Sequence, residues 1–215
     1  MSLSSSILAA AFALMAVSAA SDALADDRSP DARTIIGGDH NIDACQNAAA
    51  HNDLSDRAMG YCDTALRERL AENDRMILLV DRGILHTLRR EGAPAIADFD
   101  AALVINPRNA EAHLDRGAAL VQMGRPGPAV ASLTTALSLG VREPHKAYYN
   151  RGVAREALGD LQGAYEDYTT ALQIEPDWGP AESEIARFVR ARQEHLASVL
   201  GPQQSGGATT TQGQN

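Results

Sequence analysis

The chain has 215 residues, a formal net charge of −9 and only 4% aromatic side chains. The acidic balance excludes nucleic acid and anionic membrane surfaces as primary partners, because neither attracts an acidic protein. Scarce aromatics and many small residues argue against a β-sandwich, whose strands want β-branched and aromatic side chains, and for closely packed helices.

The N-terminal stretch carries Ile7–Ala20, 14 apolar or small residues in a row. A helix needs ~20 such residues to span a bilayer. The "ALA" at Ala23–Ala25 fits the small-x-small pattern of a cleavage site. Residues 1–25 therefore read as an export signal, although no Lys or Arg precedes the apolar run. Cleavage would leave a chain with no stable membrane insertion, located in the periplasm of a Gram-negative bacterium or secreted. Residues 26–40 read as a linker.

Two amphipathic helices are expected next, over Asn41–Asp53 and Leu54–Leu70. Ile42, Cys45 and Ala49 share one face of the first, and Ala58, Cys62, Ala65 and Leu66 share one face of the second. Cys45 and Cys62, the only two cysteines, then face each other. An even count in an exported chain points to a disulfide. A loop of that length is worth roughly 3 kcal/mol. Two buried thiols in a helical core are the alternative.

Three short stretches then recur: "VDRG" at Val80–Gly83, "LDRG" at Leu114–Gly117 and "YNRG" at Tyr149–Gly152, spaced by 34 and 35 residues. A glycine inside a helix costs about 1 kcal/mol relative to alanine, so a repeated one implies a packing need. Further columns keep step. Ala95, Ala129 and Ala164 follow their glycines by 12 residues, and Phe99, Leu133 and Tyr168 by 16. Ala102, Ala136 and Ala171 follow by 19. Pro107 and Pro176 follow by 24, whereas the middle copy has Val141 there and Pro144 slightly later. A period of 34 residues with this pattern is the signature of a helix–turn–helix repeat. The glycine and the first alanine let two antiparallel helices approach, and the bulky column fills their seam. The units run over 76–109, 110–144 and 145–178. "MGRP" at Met123–Pro126 and "LGD" at Leu158–Asp160 are the inner turns. In the first unit Gly92 falls two residues late for that role. Pro180 can start a last helix reaching about Leu200, with Ile185, Phe188, Val189 and Leu196 on its apolar face, as a polar cap (179–200) for the stack. Gly201–Asn215 lacks the apolar residues to order itself and reads as a disordered tail, 201–215.

These columns resemble the tetratricopeptide repeat. The match is carried by Tyr148–Pro176, Ile77–Pro107 and Ala112–Gly140, with residues 41–72 as a degenerate copy. The resemblance implies an all-α fold: antiparallel helix pairs over 41–200 stacked into a short right-handed solenoid. It also implies a non-enzymatic role, holding a peptide or protein partner against a concave groove lined by the first helices. Carried over residue by residue, the groove positions are Val80, Ile84 and Thr87, then Leu114, Ala118 and Val121, then Tyr149, Val153 and Glu156. Of the Lys and Asn that the family uses to clamp a terminal carboxylate, only Lys146 and Asn150 have counterparts here. Self-association through an apolar end of the stack is the alternative role.

The arginines preceding the repeated glycines, Arg82, Arg116 and Arg151, stand where the family more often has leucine. They read as stems with heads paired to nearby acids, or as a ladder for an acidic partner. No catalytic motif emerges: there is no His-Glu-x-x-His, Gly-x-Ser-x-Gly, phosphate-cradling loop or Cys-x-x-Cys. The six histidines are scattered. No cofactor and no metal site are therefore expected.

Overall fold

The computed structural model describes residues 38–200. The expected signal, most of the linker and the tail lie outside them. Nine helices and no strand occur among the described residues: α1 (Gly38–Ala50), α2 (Asp56–Arg67), α3 (Glu72–Leu88), α4 (Gly92–Ile105), α5 (Ala110–Gln122), α6 (Pro126–Leu139), α7 (Pro144–Ala157), α8 (Leu161–Ile174) and α9 (Gly179–Leu200). The fold is all-α, as read from the repeat. One boundary differs: α1 begins at Gly38, inside the stretch read as linker.

Helix starts follow local chemistry. The side chains of Ser55, Asn109 and Asp160 accept hydrogen bonds from the amides of Ala58, Ala112 and Gly163, satisfying donors that the first helical turn leaves unpaired. Pro126 and Pro144 open α6 and α7, where a missing N–H costs nothing. The turns inside the three full units need a left-handed residue. Gly124 and Gly159 supply it at φ 65° and 84°. In the first unit Arg90 occupies the same place at φ 62°. Gly92 is kept for a different reason: a Cβ there would lie 2.5 Å from Met123 Cγ of the next unit.

The glycine–bulky columns meet as expected. A Cβ on Gly83, Gly117 or Gly152 would lie 2.7 Å from Phe99 Cε1, 2.5 Å from Leu133 Cγ and 2.7 Å from Tyr168 Cε1, respectively. Phe99, Leu133 and Tyr168 are buried, as are Ala95, Ala129, Ala164, Ala102, Ala136 and Ala171. At the N-terminal hairpin, Cys62 takes the place of the bulky residue, with Ala58 and Ala65 beside it. It is joined to Cys45 by a disulfide, S–S 2.04 Å.

The last helix caps the stack with its N-terminal half. Ala181 is buried, and Ile185 and Phe188 pack on the aromatic cluster of Tyr149, Tyr168 and Trp178. Val189 and Leu196, expected on the same apolar face, are instead exposed. The core below α9 ends near Phe188, so the helix outruns what it can cover.

Candidate functional site

Most of the residues read as groove-lining are core. Val80, Ile84, Thr87, Leu114, Ala118 and Tyr149 are buried, and Val121, Val153 and Glu156 are half-buried. The reason is angular. Successive residues turn about 100° round a helix. Positions three before, one after and four after the repeated glycine lie within about 100° of it on one side. That side faces the next unit. Val80 and Ile84 cluster with Ala112 and Ala119 of α5, and Leu114 with Ala147 and Ala154 of α7. Glu156 meets α9: its Oε2 accepts from Tyr168 Oη at 3.2 Å and from Arg187 Nη2 at 2.5 Å. The stripe read as a groove is thus the seam between neighbouring units.

The opposite flank of each first helix packs backwards. Leu78 and Leu85 join the cluster of α1 and α2. Between the two flanks, turned away from the helix's own partner, lies the position two before the glycine. It is occupied by Asp81, Asp115 and Asn150. Each is buried, at 7%, 2% and 1% exposure. Asp81 Oδ2 and Asn150 Nδ2 have no hydrogen-bond partner. Burial alone pushes the Asp81 carboxyl up to about 7. Half-buried Ile77, Leu88, Glu111, Gln122 and Lys146 flank this row. Glu111 Oε1 accepts from Arg142 Nε at 3.1 Å, and Lys146 Nζ donates to Glu143 at 2.8 Å. Of this row the sequence reading took only Asn150 as a site candidate, through the resemblance to the carboxylate clamp. The row's signal was in the repeated motif itself, as Asp, Asp and Asn immediately before the arginines.

The arginines are internally paired. Arg82 makes a two-pronged contact with Asp98, at 2.8 and 2.7 Å, and reaches Asp63 at 2.8 Å. Arg151 does the same with Asp167, at 2.9 and 2.7 Å, and reaches Thr134 at 3.3 Å. Arg116 bonds Ser132 at 2.6 Å and Asp100 at 2.6 Å. Each therefore has one partner in its own second helix and one in the previous unit. Their donors are engaged within the fold, which removes the reading of a ladder for an acidic partner.

The phenol of Tyr149 is raised to about 12 and that of Tyr168 further, both chiefly by burial. Both phenols stay protonated: Tyr149 works as a packing group against Tyr168 and Trp178, and Tyr168 also donates to Glu156. Among the described residues, no group of three or more His, Cys, Asp or Glu side chains is placed to hold a metal ion, and no helix is long and apolar enough to cross a membrane.

Residues 145–177 match the family described as tetratricopeptide repeat. RNA polymerase II-associated protein 3 of Xenopus tropicalis is 30% identical over 105 residues, 49% of this chain and 16% of that protein. The chain thus spans about a sixth of that relative. Among solved structures, the first repeat domain of Spaghetti (RPAP3), bound to the HSP90 peptide SRMEEVD, superposes with a TM-score of 0.52 at 26% identity. It covers 55% of this chain and 94% of its own. MamA residues 41-end from Desulfovibrio magneticus RS-1 gives a TM-score of 0.63 at 17% identity, over 76% of this chain and 89% of that one, a likeness of fold.

Proposed function

We infer that this tetratricopeptide repeat protein is a non-enzymatic adaptor that holds an extended peptide or protein segment along the inner line of α3, α5 and α7. Stacked helix pairs of this kind are protein–protein interaction modules. The observation that carries the reading is the row described above. Its three polar side chains stand at one repeat position, buried between the two sealed flanks and bordered by half-buried side chains. Export to an oxidising compartment such as the periplasm is part of the proposal. The Cys45–Cys62 disulfide and the apolar run Ile7–Ala20 support it.

Cross-linking in the cells of origin, followed by purification of the chain and mass spectrometry, tests this. A single enriched protein, lost when Leu88 is replaced by Lys while the melting temperature holds, supports the adaptor. Enrichment unaffected by Leu88→Lys refutes the placement of the partner. A second reading, self-association, has its own observation. Leu158, Leu161 and Tyr165 are exposed near the C-terminal end of the stack, at 56%, 55% and 42%. Sedimentation showing monomer over a wide concentration range excludes it.

A further inference from the structure

The inner row has a chemistry of its own. Asp81 is a carboxylate held in a low-dielectric place without a counter-charge. The nearest arginine in sequence, Arg82, is committed to Asp98 and Asp63. A buried polar atom with no partner costs on the order of 1–3 kcal/mol, and more for a charged group, so such a group in a folded protein calls for a reason. A second orphan sits two units along the same line: Asn150 Nδ2, a donor without an acceptor, in a side chain 1% exposed. Either could be an accident of packing. Their shared angular position, between the backward and forward seams and away from the second helices, makes them one feature.

What completes both orphans is specific. Asp81 lacks a positive charge and Asn150 lacks a carbonyl. On the same helix Ile77 stands one turn before Asp81 and Leu88 two turns after it, both half-buried and apolar. A ligand side chain reaching Asp81 along the face of Ile77 would lay a hydrocarbon stem there and carry its charge at the far end, which is the build of lysine or arginine. Neighbouring helix axes lie roughly 8–10 Å apart, and an extended chain advances roughly 3.3 Å per residue, so about three residues pass each unit. A backbone carbonyl some five or six residues along then meets Asn150. The wider charge does not oppose this: the chain carries −9 overall, Glu111 between the two orphans is paired with Arg142, and Lys146 at the Asn150 end is tied to Glu143.

We propose that the inner row of α3, α5 and α7 is a recognition site for an extended peptide segment bearing a lysine or arginine, the cation docking on Asp81 beside Ile77 and Leu88 and a backbone carbonyl accepting from Asn150. The solved neighbour's peptide, SRMEEVD, has the opposite charge at its end. The site here selects against such a terminus at its α3 end, because two carboxylates would face each other there. This inference rests on the adaptor reading and adds the sign of the ligand's charge to it.

Selection of displayed random nonapeptides on the full chain tests it. The expected result is a set of binders sharing Lys or Arg at one fixed position. Replacing that residue with norleucine, which keeps the stem and removes the charge, should weaken binding about tenfold, the loss of one hydrogen-bonded charge pair. Asp81→Asn should cause a similar loss, and norleucine peptides should no longer distinguish the variant from the parent. Far-UV circular dichroism and the melting temperature confirm that the variant is folded. Binders with no common cation, or with binding unchanged by Asp81→Asn, would overturn this inference and leave the adaptor reading standing. Failure to select any binder would overturn both.

Discussion

Replacing Gly117 with alanine puts the logic of the repeat to its most direct test. In a helix interior the change by itself stabilises by about 1 kcal/mol, because alanine loses less backbone freedom on folding. At Gly117 the new methyl group would lie 2.5 Å from Leu133 Cγ and 2.7 Å from its Cδ2. Leu133 is fully buried, so turning its Cγ away drives the side chain into its neighbours or moves α6. Overpacking of this kind costs about 1–3 kcal/mol, and the Leu133 geometry puts it at the upper end. The net change is then about 2 kcal/mol of destabilisation, a fall in melting temperature of about 4–8 °C for a domain of this size. Gly60→Ala in α2 is the matched control. That glycine is exposed, and nothing lies within 4 Å of its added Cβ. It should gain stability, up to about 1 kcal/mol. In a Leu133→Ala background, itself about 2–5 kcal/mol less stable, Gly117→Ala should turn favourable, giving a coupling energy of about 3 kcal/mol. Denaturant unfolding of the four proteins of the cycle, and of the control, supplies every term. A Gly117→Ala protein as stable as the parent, or a penalty that persists without Leu133, would refute the argument that these glycines exist to admit the bulky column.

Asp81→Asn should stabilise the fold above pH 7 and not below pH 3.8. The unfolded carboxyl titrates near 3.8 and the folded one near 7, so between these values only the unfolded chain ionises, stability falls as pH rises, and the deficit levels off above 7. At 1.36 kcal/mol per unit the gain is on the order of a few kcal/mol, and an equal gain in unfolding experiments at pH 3.5 and pH 8 would contradict it. Cys45→Ser with Cys62→Ser should cost roughly 3 kcal/mol, with loss of amide protection confined to α1 and α2 in hydrogen exchange, because each unit contacts only its neighbours. Arg90→Gly should raise the melting temperature by about 2–4 °C, since it relieves a left-handed backbone worth about 1 kcal/mol.

The repeat was legible because its requirement is local and steric. Only Gly admits Phe99, Leu133 or Tyr168 against the helix, and that need recurs at a fixed interval. The disulfide was legible as a facing pair of cysteines, with a pair of thiols as its alternative. The proposed binding face was not legible in the same way. The aliphatic stripe of Val80, Ile84, Leu114 and Ala118 has a helical period whether it lines a groove or a seam. Which it does depends on how far adjacent first helices lean together, a property of pairs of units. Asp81 and Asp115 were passed over because charged residues ordinarily stay in water, and burial of a carboxylate leaves no mark in composition. Arg90 had no sequence signal either: packing on both sides of the turn holds a side chain where glycine stands in the other two units.

The arginine contacts give the order of the units a chemical meaning. The backward partner is Asp63 for the first full unit, Asp100 for the middle one and Thr134 for the third; the forward partners are Asp98, Ser132 and Asp167. Each guanidinium thus meets at least one carboxylate, but the middle unit borrows its acid from the unit before, and lends the unit after only a hydroxyl. A tandem copy of 110–144 inserted after itself would set its arginine between a threonine and a serine, with no acid on either side. The units look alike along the chain, yet they behave as keyed links that fit in one succession.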